Sequence, residues 1–354
     1  MNVVQYAQSN RIVELMQRPA EEHDAEWVRD ALQQAVLLEL ATLPPYLCGM
    51  WSINDTSQNP VLRTLRTIVF DEMSHLGIAC NLLTTVGGSP RLADETLVPK
   101  YPGPLPGGVR PELTVFLSGL TTYAVEMYAS IEQPDHPLPL AVPASFTSIG
   151  AFYTAILNAL CAQPELITGH RQVIRDMEFH GSGNSLVKLE TLDDVKSAIT
   201  VIKEQGEGTS ASPENPFPNE TGSGELAHHY AFRKVLRAHG LINPPLPPDK
   251  WDFPTFPMGV VPEGGWPRTG PTAPAPEVIT LLDKVNRAYS EMLRLLEQSW
   301  QPADPDHPDV AADRLDDAIS EMRKLRSPAQ KLMKLALPDG SGKNYGPEFR
   351  YTAS

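Results

Sequence analysis

The stretch FDEMSHLGIACNLL, Phe70 to Leu83, decides how this chain is read. Wound as a helix at about 100° per residue, it gathers Val61, Ile68, Ala79, Leu82, Leu83 and Val86 on one side. Glu72 and His75 fall inside that apolar stripe, with Asp71 at its margin and Ser74 well off it. Residues three apart stack in one direction on a helix, so the carboxylate and the imidazole point together into the core. A buried carboxylate is costly unless it is paired, protonated or bound to a metal. A Glu–His hydrogen bond sealed in the core is the plainest account, and the rest of the chain has to decide whether it suffices.

Working outward, residues 60–86 read as one helix, opened by Pro60 and ended by Gly87-Gly88. Residues 24–43 form an earlier helix with Asp24 as N-cap. Glu39 lies at the centre of its apolar face, among Val28, Leu32, Val36 and Leu43. Pro44 and Pro45 are expected to kink or break that helix, freeing carbonyls near residues 40 and 41 and making room for a ligand. A third helix is expected over 112–132, with Leu113, Leu117, Leu120, Ala124, Met127 and Ile131 as its buried face. Glu126 points away from that face and Glu132 sits at its edge.

Further helices are expected over 149–163, 193–205 and 225–239, then 276–300 and 309–335. In the helix 225–239, Glu225 and His228 make a second E-x-x-H on a broad apolar face, with His229 nearer its rim. Glu204 faces outward. Glu207, between two glycines, lies beyond the regular helix, where periodicity cannot place it.

Two E-x-x-H pairs plus lone inward glutamates on other helices form the ligand set of a carboxylate-bridged dinuclear metal site in a four-helix bundle. One imidazole per metal among carboxylates suits iron, or manganese, better than zinc. That pattern displaces the core hydrogen-bond reading. Tyr46, Trp51, Tyr123 and Tyr128 lie on or near the same helices and read as core filler. His170, His180 and His307 read as surface residues.

Bulk properties narrow the class. Of 354 residues, 41% are apolar, enough for a substantial core. A net charge of −14 argues against nucleic acid and anionic membranes as partners. The opening MNVVQYAQSNRIVEL does not read as a signal peptide, and no stretch approaches the ~18 apolar residues of a membrane span. Cys48, Cys80 and Cys161 form no CxxC, so a reducing, cytoplasmic home is expected. Strand signals are short and scattered. The expected architecture is all-α: a helical bundle over 1–240, a proline- and aromatic-rich surface segment over 241–275, and C-terminal helices over 276–354 packing on the bundle.

Several segments resemble one known family. LLELATLPPYLCGMWSI, DEMSHLGIACNLLTTVGGSP, YPGPLPGG, SIEQP, IKEQGEG, ELAHHYAF and GPEFRY run in order over nearly the whole chain. They resemble the ferritin-like family that includes the iminophenyl-pyruvate dimer synthases of bisindole pigment biosynthesis, the violacein and rebeccamycin type. The resemblance implies a ferritin-like four-helix bundle with long Pro-rich loops and a C-terminal helical extension. It implies as metal ligands Glu39, Glu72, His75, Glu132, Glu207 and His228. On the residues themselves, Glu207 and Glu225 remain alternatives for the second metal.

The resulting expectation is a non-haem, di-iron oxidase or oxygenase acting with dioxygen on a small amino-acid-derived metabolite in secondary metabolism, with oxidative imine coupling as the family-implied reaction and a homodimer as its assembly. The competing classes are a ferritin-like metal- or oxidant-handling protein without organic substrate, and a structural helical protein with a satisfied polar core.

Overall fold

The computed structural model describes residues 10–55, 58–134, 148–177, 181–209, 211–218, 224–270, 272–301 and 310–353. His180 and His307 lie outside these residues, and His170 is exposed as expected.

Among the described residues the chain forms nine α-helices. They are α1 (Arg11–Met16), α2 (Ala25–Ser52), α3 (Pro60–Thr85), α4 (Thr122–Ile131), α5 (Ile149–Ala162), α6 (Leu192–Glu207), α7 (His228–Gly240), α8 (Pro276–Ser299) and α9 (Val310–Leu332). Among the described residues, β pairing is confined to isolated bridges. This is an all-α bundle. The long helices α2 and α3, joined by the short link 53–59, pack along each other. The shorter α4, α5, α6 and α7 close the bundle against them, pairing α4 with α7 and α5 with α6. Helices α8 and α9 form a hairpin of their own that also touches α2.

Helix α2 begins where expected: Asp24 accepts hydrogen bonds from the backbone of Glu26 and Trp27. It does not break at Pro44-Pro45 but runs on to Ser52. A proline has no N–H for the carbonyl four residues back. The Tyr101 hydroxyl donates to the Ala41 carbonyl at 2.8 Å and replaces the bond that Pro45 cannot make. The Tyr128 hydroxyl donates to the Pro45 carbonyl at 2.8 Å, pinning the same turn. Local sequence foresaw the lost donors but not these distant tyrosines.

The third helix is shorter than its periodicity suggests. Residues 112–121 are not helical: Val115 and Gly103 exchange both backbone hydrogen bonds at 2.8–2.9 Å, and Val261 donates to the Leu117 carbonyl at 2.9 Å. Leu117 and Leu120 are buried all the same, so their spacing reflects a common core rather than a common helix. Thr121 then caps α4 through its side chain.

The helix expected from Glu225 starts only at His228. Before it, Asn215 donates its backbone N–H to the Glu225 carbonyl at 2.8 Å and Ala227 donates to Pro213 at 3.0 Å. The backbone groups a helical turn needs are thus used by a bridge, and Glu225 and His228 do not share a helical face.

The proline-rich segment crosses the end of the bundle. Phe256 donates its N–H to the Ser52 carbonyl at 2.7 Å, and the Trp251 indole donates to Leu120 at 2.9 Å. Trp266 is buried, and its indole donates to the Gly346 carbonyl at 2.8 Å. Glu348, in the GPEFRY tail, is buried and accepts from Asn286 at 2.8 Å, from the Trp266 N–H at 2.8 Å and from Arg268. One carboxylate so ties tail, segment and α8 together.

Candidate metal centre

Four helices deliver side chains to one point inside the bundle. Glu39 comes from the middle of α2, Glu72 and His75 from consecutive turns of α3, Glu132 from the C-cap of α4, and His228 from the first position of α7. All five are buried, none more than 7% exposed. They form two overlapping triads, Glu39–Glu72–His75 and Glu72–Glu132–His228, each with one ligand atom per residue within 4.8 Å of the others. Glu72 belongs to both.

The two imidazoles turn the same edge inward. His75 Nδ1 lies 3.3 Å from Glu72 Oε1 and 3.9 Å from Glu39 Oε2. His228 Nδ1 lies 3.0 Å from the same Glu72 Oε1 and 3.7 Å from Glu132 Oε2. Despite that proximity, the His228 Nδ1 makes no hydrogen bond of acceptable angle among the described residues. A buried nitrogen placed beside two carboxylates yet off their hydrogen-bond axis is suited to a cation between them.

The outer nitrogens are tied down. His75 Nε2 donates to Gln205 Oε1 at 2.7 Å, and His228 Nε2 donates to Asp71 Oδ2 at 3.2 Å. Asn184 joins these partners: its Nδ2 donates to Asp71 Oδ1 at 2.7 Å, and its Oδ1 accepts from Gln205 Nε2 at 3.3 Å. An acceptor on Nε2 keeps that nitrogen protonated, so Nδ1 is the position freed when the imidazole gives up its second proton to a metal, the arrangement usual for metal-binding histidines.

The carboxylates are held as firmly. Tyr153 donates to Glu39 Oε1 at 2.6 Å and Tyr46 to Glu132 Oε1 at 2.6 Å. Thr42 donates to Glu72 Oε2 at 2.6 Å, leaving Oε1 to the imidazoles.

The electrostatics follow from burial and crowding. Burial, with the adjacent Glu72, pushes the Glu39 carboxyl up to about 8. Burial also disfavours the charged Glu72, but the adjoining His228 and His75, carrying positive charge, outweigh it and hold this carboxyl well below its usual range. For His75, burial opposes the charge and Glu72 with Glu39 overcome it, raising the imidazole to about 9. His228 is likewise raised well above its ordinary value, against burial, by Asp71, Glu132 and Glu72. Burial and the neighbouring carboxylates push Tyr46 and Tyr153 well above the usual phenol range.

Glu207 is the last residue of α6, which extends past the expected end at 205 and stops at Gly208, with φ of 76°. Its carboxylate lines a cavity of about 20 Å³ together with Glu39, Glu72, His75 and Glu132, and accepts the Gly150 N–H at 2.9 Å. Any side chain at 150 would collide with it. Glu225 lies elsewhere: it accepts from Asn215 Nδ2 at 3.1 Å and lines a separate groove between α3 and α7. Glu126 is at the surface, paired with Arg233, and His229 donates to the Ala129 carbonyl at 2.7 Å outside both triads.

Sequence reasoning missed Asp71, Gln205, Asn184, Tyr153 and Thr42. Asp71 lies at the margin of the α3 stripe, Thr42 one turn beyond Glu39, Gln205 three residues after Ile202, and Tyr153 on the buried face of α5 with Ile156 and Leu160. Periodicity marks these positions, but only tertiary packing brings them and the loop residue Asn184 beside the triads. Tyr46 and Tyr128, read as filler, bond a triad carboxylate and the Pro45 carbonyl, whereas Tyr123 is 67% exposed.

The sequence model of the Ferritin-like family matches residues 32–237, more than half of the chain and all of the triads. The chain belongs to the Ferritin-like family. Its fold is similar to that of a ferritin-like protein from Caulobacter vibrioides, at 21% identity and a TM-score of 0.61, over 92% of this chain and 97% of that one. No curated protein shows significant similarity. No described helix is long and apolar enough to cross a membrane.

Proposed function

We propose that the protein is a non-haem oxidoreductase that holds two metal ions, iron in the first instance and manganese as the alternative, and acts with dioxygen on a small amino-acid-derived metabolite. The proposed ligands are Glu39, Glu72, His75, Glu132, Glu207 and His228. The single observation that carries this reading is the pair of imidazoles, each with Nε2 tied to an acceptor and Nδ1 turned to the shared Glu72. Carboxylates with one imidazole per metal match the preferences of iron and manganese. Of the two candidates for the sixth ligand, Glu207 lines the central cavity and Glu225 does not.

Two such metals would supply the redox chemistry toward dioxygen. The chain's own residues hold and insulate the site. Glu72 places Oε1 between the imidazoles while Thr42 occupies Oε2. Tyr46 donates a hydrogen bond to a carboxylate oxygen of Glu132, and Tyr153 donates one to Glu39. Burial of the five triad residues limits contact with bulk water, and Glu207 is half-buried at the edge of the site.

The groove between α3 and α7, about 480 Å³, reaches Asp71 and His228 and carries Arg63, Arg66 and Lys234 at its exposed edge. These three cations outnumber Asp71 and Glu225 in the same lining, which favours a small anionic substrate approaching from this side. Oxidative imine coupling, as in the iminophenyl-pyruvate dimer synthases, is the reaction the motif resemblance favours, with a homodimer as the assembly.

A second reading, metal or oxidant handling without an organic substrate, is favoured by the central cavity itself, whose 20 Å³ holds little more than a water. Elemental analysis of protein produced with iron, then spectra taken anaerobically and after oxygen, test the metal reading; about two equivalents are expected. Oxygen uptake that continues only with an added imino or amino acid favours the enzyme, and uptake driven by iron alone favours the second reading.

A further inference from the structure

We infer that the protein carries a second ligand site, an apolar cavity between the bundle and the C-terminal hairpin, which takes a small hydrophobic molecule bearing one oxygen function. The cavity measures about 640 Å³, within the range of small-molecule sites. Its walls are Leu43, Pro44 and Leu47 of α2, Met73 of α3, Met292 of α8 and Met322 of α9. Protein interiors are close-packed, and a void of this size forfeits contacts along its whole lining. Methionine walls adapt to occupants of varied shape. No residue lines both this cavity and the one at the metal centre, so the inference stands apart from the proposed reaction.

The polar requirement comes from Tyr289. It lines the cavity, is 2% exposed, and its hydroxyl has no hydrogen-bond partner among the described residues. Buried tyrosine hydroxyls normally find a partner, and one left without costs stability. The Tyr289 ring is fixed edge-on to Phe349 with centroids 5.3 Å apart, so the hydroxyl is held in place. A ligand oxygen meeting it completes an otherwise apolar site. The exposed pair Arg175–Asp316, 2.8 Å apart, also borders the cavity and ties the bundle side to α9. Pro44, which the metal centre does not use, forms part of this wall.

The test is titration calorimetry of the full chain with 1-nonanol and, separately, 2-naphthol, which distinguish a chain-shaped from a ring-shaped occupant. Binding of one equivalent of either is expected. Met322→Trp, which fills the space, should weaken that binding at least about tenfold. Tyr289→Phe should weaken it about three- to tenfold by removing one hydrogen bond, with no fall in the melting temperature of the ligand-free protein. If Met322→Trp does not melt cooperatively, Tyr289→Phe decides. Failure of both probes to bind, unchanged affinity in Tyr289→Phe, or a folded Met322→Trp that binds like the original chain would each overturn the inference.

Discussion

His75 and His228 stack across Glu72 with ring centroids 5.6 Å apart, and each presents Nδ1 to the same carboxylate oxygen. The two triads are therefore not independent, because Glu72 is their common member.

Glu72→Gln should accordingly reduce bound metal at both positions, whereas Glu132→Gln should affect mainly the position that includes His228. Elemental analysis of the purified variants reads this directly, with far-ultraviolet circular dichroism confirming that each remains helical. Equal losses in the two variants would show that Glu72 is not shared.

Metal binding should strengthen as pH rises. Glu39, held up to about 8, and His75, at about 9, keep protons at neutral pH that a cation must displace. The metal-free fold has the opposite dependence. A raised imidazole contributes stability that is fully present below its unfolded value of about 6.5 and is lost as pH climbs through the folded value. Glu39 has the same sign, since its folded form retains a proton that the unfolded chain has released. Between about pH 6.5 and 9 the metal-free protein should melt at falling temperatures, while the stabilisation by added metal grows. Melting curves with and without metal across this window check both signs.

Tyr153→Phe removes the only described hydroxyl on Glu39 Oε1 and leaves a buried carboxyl short of a donor. The expected cost in the metal-free protein is about 1–2 kcal/mol, measured by urea unfolding. Asp71→Asn disturbs the acceptor on His228 Nε2. Loss of such an outer partner typically weakens metal affinity about 10–100-fold, and competition with a chelator would measure it.

Arg268→Met leaves Glu348 buried without its cation, though still held by Asn286 and the Trp266 N–H. Removing one member of a buried pair is strongly destabilising, and a loss of about 2–4 kcal/mol is expected. Arg268→Met with Glu348→Gln should recover part of it. Equal stability in the single and double variants would show that the charge pairing is idle.

How much of this was legible in the sequence depends on the range of the interaction involved. Glu39, Glu72 and His75 could be found because α2 and α3 are long, and a single apolar stripe places residues over several turns. His228 was placed on the correct face for an incomplete reason: it opens α7, while Glu225 lies in a bridge to residues 213–215. Leu113, Leu117 and Leu120 kept a helical spacing in chain that is not helical, because a neighbouring segment, not the local period, sets its hydrogen bonds. Helix α2 survived Pro44-Pro45 through hydroxyls from Tyr101 and Tyr128, more than fifty residues away in each case. Gln205 and Tyr153 lie on the apolar faces of α6 and α5, whereas Asn184 sits in a loop without periodicity; only packing brings the three to the centre.

Donation runs from His75 through Gln205 and Asn184 to Asp71, which also accepts from His228, so the run converges on one carboxylate. Reversing the Gln205 amide would set a donor against His75 Nε2–H, and reversing Asn184 would break two junctions together. Asn184, a loop residue that touches neither ring, therefore fixes which end of Gln205 meets His75 and adds a second donor to the Asp71 that serves His228. A shift of the 181–186 loop would reach His75 through Gln205 and His228 through Asp71.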